Sequence, residues 1–198
     1  MPTQAVQHIR RMRGGAQSHL MRCADNNYYV LKFRNNPQHT RVLVNDWLGT
    51  RLAEMIGLPV PVADVVDVHP WLIEHSPELR IELCGRQTMI TSGPSFGSRY
   101  VVPPTEGEVY DYLPEAMIGR VRNLSSFAGI LAFDKWTCNA DGRQAAFWKR
   151  GGERKFTAGR GSFGILESSR EGMQGDRRVW QHLPCVIVQH AFPGAGGG

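Results

Sequence analysis

Two short apolar segments near the start of the chain are separated by a polar turn. Residues 20–24 and 28–33 are rich in apolar side chains, and Asp25-Asn26-Asn27 lies between them, which predicts a β-hairpin. The segment that enters this hairpin contains Gly14 and Gly15. Adjacent glycines allow backbone N–H groups to face an anionic ligand, although an ordinary turn before the first strand also explains them.

A helical period begins after Pro37. Apolar residues recur at i, i+3 and i+4 spacings from Leu43 to Ile56, which predicts an amphipathic helix, and Gly57 is the residue at which the helix is expected to end. The periodic apolar residues are Leu43, Val44, Trp47, Leu48, Leu52, Met55 and Ile56.

The next part of the chain is extended and then interrupted. Prolines and β-branched residues through position 68 indicate extended chain, and residues 71–73 and 87–90 predict two further strands. Between Ser92 and Thr105 glycine and proline recur, which predicts a loop or hinge over residues 93–105. This hinge divides a strand-rich N-terminal lobe, residues 8–92, from a helical lobe that begins at residue 106.

The second half of the chain begins with helices and ends without a clear pattern. Apolar residues from Leu113 to Leu131 keep a helical period and predict one or two helices that end near Phe133. Beyond residue 150 the period is lost and glycine becomes frequent. Residues 151–198 are therefore predicted to form an atypical, poorly ordered tail with one strand at 179–188. The predicted fold class is α+β.

Composition and charge exclude several classes of protein. With 198 residues, 41% of them hydrophobic, the chain is typical of a globular protein of one domain or little more. A net charge of +5 fits an anionic ligand, and a basic nucleic-acid-binding module, supported otherwise only by residues 10–13, is a weaker alternative. The 4 cysteines and 7 histidines lack the spacing of zinc sites. Because neither an export signal nor a long apolar segment is visible, we expect a reduced, cytoplasmic protein with no membrane partner.

Three weak signals occur in the order that phosphoryl transfer requires. Backbone donors and a cation must hold the phosphates, an acid must place that cation, and a carboxylate must orient the attacking hydroxyl. The glycines at 14 and 15, Lys32 followed by a helix, and Asp141 after a later helix supply these groups in that order. Asp141 also fits an Asx-turn in Asn139-Ala140-Asp141-Gly142 that carries no chemistry.

Lys32 is the strongest of the three signals. It alternates with Val30 along a strand and is predicted to lie on the opposite face from Leu31. A lysine on a buried face needs a carboxylate, for which Asp46 on the following helix is the first choice and Glu54 the second. The alternative is a solvent-exposed lysine on an edge strand.

Several segments together resemble a known family. They agree in order along residues 8–150, and this agreement in order makes the match specific. The segments are Gly14-Gly15-Ala16-Gln17, Tyr29-Val30-Leu31-Lys32-Phe33-Arg34-Asn35-Asn36-Pro37, Arg51-Leu52-Ala53-Glu54-Met55-Ile56-Gly57-Leu58-Pro59-Val60-Pro61 and Phe133-Asp134-Lys135-Trp136-Thr137-Cys138-Asn139-Ala140-Asp141-Gly142-Arg143-Gln144. With these segments the chain resembles the HipA-like kinases, bacterial relatives of the HipA toxin kinase whose catalytic loop has Asn-x-Asp in place of His-Arg-Asp.

The resemblance implies a bilobed protein-kinase-like fold over residues 8–150, with the helical C-lobe (106–150) shortened in this chain. It implies binding of ATP and magnesium and phosphorylation of a Ser or Thr hydroxyl of a protein substrate. Lys32 would contact the phosphates, Asp141 would be the catalytic aspartate and Asn139 would shape its loop, while residues 89–91 would run near the adenine. The residues implied to cover the phosphates are Gly14, Gly15, Gln17 and Ser18.

Two positions depart from the family pattern. The pattern has an asparagine metal ligand where this chain has Ala146, with Gln144 as the nearest amide and a tentative metal ligand. It also has a metal-binding aspartate on a following strand, where this chain has Ser162. A hydroxyl brings no negative charge to a divalent ion. A nucleotide-binding pseudokinase without catalysis is therefore an alternative prediction.

Overall fold

The structure is a computed structural model that describes residues 2–12, 16–38, 41–137 and 145–160. Within these residues the chain is a mixed α+β protein, rich in strands, and none of its helices there is long and apolar enough to cross a membrane. The strands are β1 (Thr3–Arg11), β2 (His19–Cys23), β3 (Tyr28–Lys32), β4 (Ala63–Val68), β5 (Arg80–Leu83), β6 (Arg86–Met89), β7 (Gly93–Arg99), β8 (Gly107–Tyr110), β9 (Ala145–Arg150) and β10 (Thr157–Arg160). The helices are α1 (Arg41–Met55), α2 (Pro70–Glu74), α3 (Glu115–Ile118) and α4 (Ser126–Trp136).

Five strands form a closed barrel in the order β1, β2, β3, β7 and β4. Neighbouring strands are antiparallel except β1 and β4, which close the barrel through a short parallel pairing of Thr3 with Val66 and of Gln4 with Asp67. Alternate side chains point into the barrel and form its apolar core, to which α2 and the β5–β6 hairpin also contribute. The buried residues of this inner core are Ala5, Met21, Cys23, Tyr29, Leu31, Phe33, Val66, Val68, Leu72, Ile73, Leu79, Ile81 and Ile90.

The predicted first hairpin is confirmed by β2 and β3. Its turn contains Asn26 in the left-handed region at φ +62°, and the backbone N–H of Asn27 donates to Oδ1 of Asp25 at 3.0 Å. Short polar side chains favour such a turn because they tolerate positive φ and bond the local backbone. The hairpin therefore has a local origin.

Helix α1 lies against the outside of the barrel, beside β4 and β7. The helix prediction is confirmed, and the chain turns at Gly57 with φ +75°, a conformation that favours glycine. The buried residues of α1 are Asp46, Thr50 and Ala53, which share one face at i, i+4 and i+7. The fully buried residues of the helix are thus polar or small, and beside them the half-buried Trp47 packs edge-on against Phe96 of β7, with ring centroids 6.5 Å apart.

The apolar residues whose spacing predicts α1 lie mainly on its solvent side. Val44 is 55% exposed, Leu48 54% and Met55 79%, and Leu52 and Ile56 belong to the same exposed stripe. An apolar period identifies a helix, but it does not by itself say which side of the helix is covered. In α1 the covered side carries Asp46, which pairs with Lys32, and Trp47, which packs on Phe96.

The loop predicted over residues 93–105 is wrong for residues 93–99, which form β7. This strand pairs with both β3 and β4 and completes the barrel wall. A Cβ at Gly97 would lie 2.7 Å from Cγ2 of Val66 and 3.2 Å from Cδ2 of Leu31, so the glycine allows close packing and does not mark a turn. The position of a boundary between lobes stays a prediction.

The strand predicted at residues 71–73 is also wrong, because this segment forms the short helix α2. Nδ1 of His69 accepts the backbone N–H of Trp71 at 3.1 Å, and Pro70 occupies the first turn. An N-terminal cap followed by proline favours helix initiation over the β-propensity of the apolar side chains. The strand predicted at 87–90 is confirmed by β6, which pairs with β5 in a hairpin outside the barrel.

A second antiparallel sheet has the order β10, β9, β8 and packs with α3 and α4 around its own apolar core. Phe147 of β9 stacks on Phe127 of α4 with ring centroids 5.9 Å apart. The two predicted helices are confirmed, whereas the prediction of a poorly ordered tail from residue 151 is wrong for residues 151–160, which include β10. Residues 161–198, with the strand predicted at 179–188, lie outside the described residues.

Candidate functional site

Lys32 is the last residue of β3 and points away from the barrel interior. Its neighbours Leu31 and Phe33 belong to the inner core, so Lys32 and Val30 share the outer face, as their alternation predicts. The Lys32 side chain is 1% exposed. The structure therefore places this lysine on a buried face of the strand.

Asp46 of α1 is the carboxylate that meets Lys32. Nζ of Lys32 lies 2.8 Å from Oδ2 of Asp46, and both side chains are 1% exposed. The second choice, Glu54, faces solvent and instead pairs with Arg51 at 2.5 Å. A buried ammonium is stable only beside an opposite charge, so the pair fixes α1 against the barrel wall.

The same outer face carries a small apolar cluster next to the ion pair. Met12, Leu20 and Val30 are buried in it, and Tyr28 and Tyr100 pack against them. Because alternate residues of a strand lie roughly 7 Å apart on one face, Val30 places this cluster one step along β3 from the ammonium of Lys32. The face thus combines an apolar platform with a buried positive charge.

A cavity of about 540 Å³ borders this cluster on the side away from Lys32. Tyr28 and Tyr100 belong both to the cluster and to the cavity wall, which also includes Arg99 and Trp148. Ligand cavities in proteins commonly have volumes of roughly 300–1,000 Å³. The apolar platform therefore lies beside open space of ligand size.

The described ends of the glycine-containing segment are held by two hydrogen bonds. The backbone N–H of Met12 donates to the carbonyl of Ser18 at 2.8 Å, and Nδ2 of Asn36 donates to the carbonyl of Ala16 at 3.3 Å. Ser18 is buried, and Gln17 has its backbone in the left-handed region at φ +47°. Gly14 and Gly15 themselves lie outside the described residues.

The side chain of Gln17 bonds to the β5–β6 hairpin. Nε2 of Gln17 donates to the carbonyl of Glu82 at 2.9 Å, and Oε1 accepts the backbone N–H of Glu82 at 2.6 Å. The guanidinium of Arg11 donates to the same Oε1 at 2.5 Å. The sequence gives no signal for these contacts, because positions 17 and 82 are far apart in the chain.

His8 and His19, whose positions in the sequence lack the spacing of a zinc site, lie beside these contacts. Nε2 of His19 lies 3.2 Å from the carbonyl of Arg80, which can only accept, so this nitrogen carries the proton and Nδ1 accepts from Nε2 of His8 at 3.0 Å. Nδ1 of His8 lies 3.2 Å from Oε1 of Glu78. Burial, followed by the nearby His8, lowers the pKa of His19 to about 4.

The residues predicted to carry out catalysis come after α4. Asn139, Asp141 and Gln144 lie outside the described residues, but the end of α4, which precedes them, makes a described contact. Oδ1 of Asp134 in α4 accepts a hydrogen bond from Nε of Arg160 in β10 at 2.8 Å, and this guanidinium also lies over the ring of Phe133. The pair is nearly buried, so it holds the end of α4 against β10.

Magnesium has no ligand set within the described residues. No group of three or more His, Cys, Asp or Glu side chains in residues 2–12, 16–38, 41–137 and 145–160 could hold a metal ion. Ala146, at the position of the asparagine ligand in the family pattern, is 1% exposed in β9 and offers no side-chain oxygen. Ala146 therefore cannot supply the ligand that the family pattern has at this position, and the remaining candidate, Gln144, lies outside the described residues.

Comparison with known proteins gave a match to a family model over most of the chain. A family model described as HipA-like kinase matches residues 5–151. The matched region contains the barrel except for Thr3 and Gln4, and it also contains α1 with the buried ion pair and the segment with the predicted catalytic residues. Neither the search of curated proteins nor that of solved structures gave a significant match.

Proposed function

Because the chain belongs to the HipA-like kinase family, we propose that it binds ATP on the outer face of β3 and transfers the γ-phosphoryl group to a Ser or Thr hydroxyl of a protein substrate. The observation that carries this proposal is the buried pair between Lys32 and Asp46. Protein kinases hold the ATP phosphates with a strand lysine that is paired to an acid on the following helix. The pair seen here has that topology, with aspartate as the acid.

The proposal includes a bilobed arrangement. The barrel with α1 corresponds to the strand-rich lobe, and α3, α4 and the second sheet correspond to the start of the helical lobe. Residues 100–106 connect the last barrel strand to the second sheet. The cavity walled by Tyr28, Tyr100 and Trp148 includes residues of both parts, which supports this assignment.

The outer face suggests how the nucleotide lies. We place the base against the apolar cluster of Met12, Leu20 and Val30, where the neighbouring cavity provides space. The phosphates then extend along β3 toward Lys32, whose ammonium is shielded from water and so attracts an anion more strongly than an exposed lysine would. Met89 and Ile90 pack against the inner core, so our placement of the base does not use them, and the position of residues 89–91 near the adenine stays a prediction.

Transfer requires a carboxylate at the acceptor hydroxyl. We assign this role to Asp141, which accepts the hydroxyl proton as the oxygen bonds to the γ-phosphorus and the bond to the ADP oxygen breaks. Asn139 shapes the same loop. Magnesium, when bound, neutralises charge on the phosphates, and within this chain Gln144 remains its only assigned candidate ligand.

Ala146 favours a second candidate function. An apolar side chain at a position where the family pattern has a metal ligand weakens the metal site and with it the transfer step. In this alternative the chain is a pseudokinase that binds ATP through Lys32 and does not transfer phosphate. Both functions share the nucleotide site and differ in the role of Asp141.

Titration calorimetry with ATP, with and without magnesium, tests the shared step. We expect the wild type to bind ATP and Lys32→Ala to bind at least tenfold more weakly, because removing one charged contact to phosphate costs about 1.5–3 kcal/mol. Lys155→Ala is the matched control, since Lys155 is exposed on a turn far along the chain, and its affinity should equal that of the wild type. Unchanged affinity in folded Lys32→Ala, checked by circular dichroism, contradicts the proposal.

Asp141→Asn distinguishes the two functions. If the chain is a kinase, this variant binds ATP like the wild type and loses transfer of labelled phosphate to itself or to a protein substrate. If the wild type binds ATP but transfers nothing, with or without magnesium, the pseudokinase is correct. Equal transfer by wild type and variant removes Asp141 from the mechanism.

A further inference from the structure

One edge of strand β5 pairs with β6, and within the described residues its other edge forms hydrogen bonds with side chains and not with another strand. On its other side the backbone groups of Glu82 bond to the amide of Gln17, and the carbonyl of Arg80 bonds to the ring of His19. These contacts, which we call the β5 clamp, satisfy alternate backbone groups along one edge of the strand.

The amide of Gln17 suits this edge because it is both a donor and an acceptor. It makes the same pair of bonds to the backbone of Glu82 that an adjacent strand residue would make. The guanidinium of Arg11 adds a third, charge-assisted bond to Oε1. A side chain with two or three fixed bonds loses its rotamer freedom, so Gln17 holds its own backbone in place.

The anchored segment leads directly into the proposed nucleotide face. Ser18 accepts from the backbone of Met12, and Leu20 follows in β2, so both Met12 and Leu20 of the apolar cluster are adjacent to the clamp in the chain. A shift of residues 16–19 would therefore move Met12 and Leu20 of the apolar cluster relative to Val30. The β5–β6 hairpin is thereby coupled to the face that carries Lys32.

We propose that the β5–β6 hairpin positions the nucleotide-binding face through the β5 clamp, with Gln17 as the positioning residue. This inference rests on the proposed function, because it assumes that ATP binds on the outer face of β3. It assigns the side chain of Gln17 to the hairpin and leaves its backbone to face the ligand. The hairpin then supports the nucleotide site indirectly, because none of its residues contacts the nucleotide.

The clamp predicts weaker ATP binding when the Gln17 amide is removed. Gln17→Ala deletes all three bonds, and Gln17→Met keeps the side-chain length but can neither donate nor accept as the amide does. We expect both variants to bind ATP about three- to tenfold more weakly than the wild type in calorimetry, since loss of order in a binding segment costs affinity. Glu82→Ala is the matched control: it keeps the backbone groups that the clamp uses, and its affinity should stay within twofold of the wild type.

Hydrogen exchange provides a measurement that needs no variant. If the clamp is coupled to the site, saturating ATP should slow exchange of the Glu82 amide, whose partner is Gln17, in the wild-type protein. ATP affinity equal to wild type in Gln17→Ala and Gln17→Met, or loss only in Gln17→Ala, overturns the inference, as does unchanged exchange at Glu82. In those cases the wild type still binds ATP and the proposed function stands, whereas a wild type that does not bind ATP overturns both.

Discussion

The two faces of β3 are equally buried and chemically opposite. Leu31 points into the barrel and is 0% exposed in an apolar core, while Lys32 points outward, is 1% exposed and meets a carboxylate of α1. Ser98, paired with Val30 across the strands, adds a buried hydroxyl that has no hydrogen-bond partner among the described residues. One strand therefore separates an apolar interior from an outer face on which a buried ion pair lies beside apolar side chains.

The difference shows that burial and apolar character are separate properties of a site. Burying an apolar side chain stabilises the fold by about 1.5–3 kcal/mol. Burying an ion pair brings little or no net stability, because desolvation of the two charges offsets their attraction. The inner face thus stabilises the barrel. The ion pair on the outer face contributes little to stability, and buried charged groups of this kind are frequent in functional sites.

The largest effect should come from removing one charge of the outer layer. Asp46→Ala leaves the ammonium of Lys32 buried without its carboxylate, and we expect a loss of about 3–5 kcal/mol in the free energy of unfolding. Urea denaturation at neutral pH measures this loss. A change below about 1 kcal/mol would mean that the pair is not buried in solution.

A double variant separates stability from chemistry in the same layer. Lys32→Met combined with Asp46→Leu replaces both charges by apolar groups of similar size, so it should recover most of the stability lost in Asp46→Ala. It should nevertheless bind no ATP. Recovery of stability together with normal ATP binding would contradict the role given to Lys32.

An intermediate effect concerns His19, whose pKa is strongly lowered and which lies at the rim of the inner core. His19 is 0% exposed and its ring lies 5.5 Å from that of Phe33. Burial lowers the pKa of His19 from 6.5 to about 4. Between pH 6.5 and pH 4, His19 is therefore protonated in the unfolded chain but neutral in the folded protein. Stability from this group is complete above pH 6.5 and declines as the pH falls to 4, by up to about 3 kcal/mol.

Urea midpoints at several pH values, compared between wild type and His19→Gln, measure this contribution. The variant keeps a polar side chain at the site and removes the titration. We expect its stability to fall less steeply between pH 6.5 and 4 than that of the wild type. Parallel curves would show that His19 has an ordinary pKa in the folded protein.

The smallest effect should come from the solvent side of α1. Leu48 is 54% exposed, and lysine has nearly the same helix propensity as leucine, so Leu48→Lys should change the free energy of unfolding by less than about 0.5 kcal/mol. Ala53 on the buried side of the same helix is the control. Ala53→Leu forces extra atoms between helix and barrel and should cost about 1–3 kcal/mol. A large loss in Leu48→Lys would show that another part of the molecule covers this stripe.

Elements with a local origin could be predicted from the sequence. The turn at residues 25–27 defines the first hairpin, and the apolar spacing with Gly57 defines α1, because these signals act over a few neighbouring residues. The alternation of Lys32 with Val30 likewise gives the strand face of the lysine. The choice of Asp46 over Glu54 agrees with the structure, in which Glu54 is exposed.

Elements that depend on distant partners could not be predicted in this way. β1 is mostly exposed along Thr3–Arg11 and is a strand because β2 and β4 pair with it on its two sides. β7 contains glycine and proline, which indicate a loop locally, yet it completes the barrel. In both strands pairing overrides the local propensity.

The sequence by itself determined the family, the local elements and the face of β3 that carries Lys32. Only the tertiary structure decided which side of α1 is covered, that Gln17 and His19 bind the edge of β5, and that Arg160 fixes Asp134 at the end of α4. The physical reason is the range of the interactions. Propensity and periodicity act between near neighbours in the chain, whereas these contacts join residues that become neighbours only when the barrel closes and the hairpin and second sheet pack beside it.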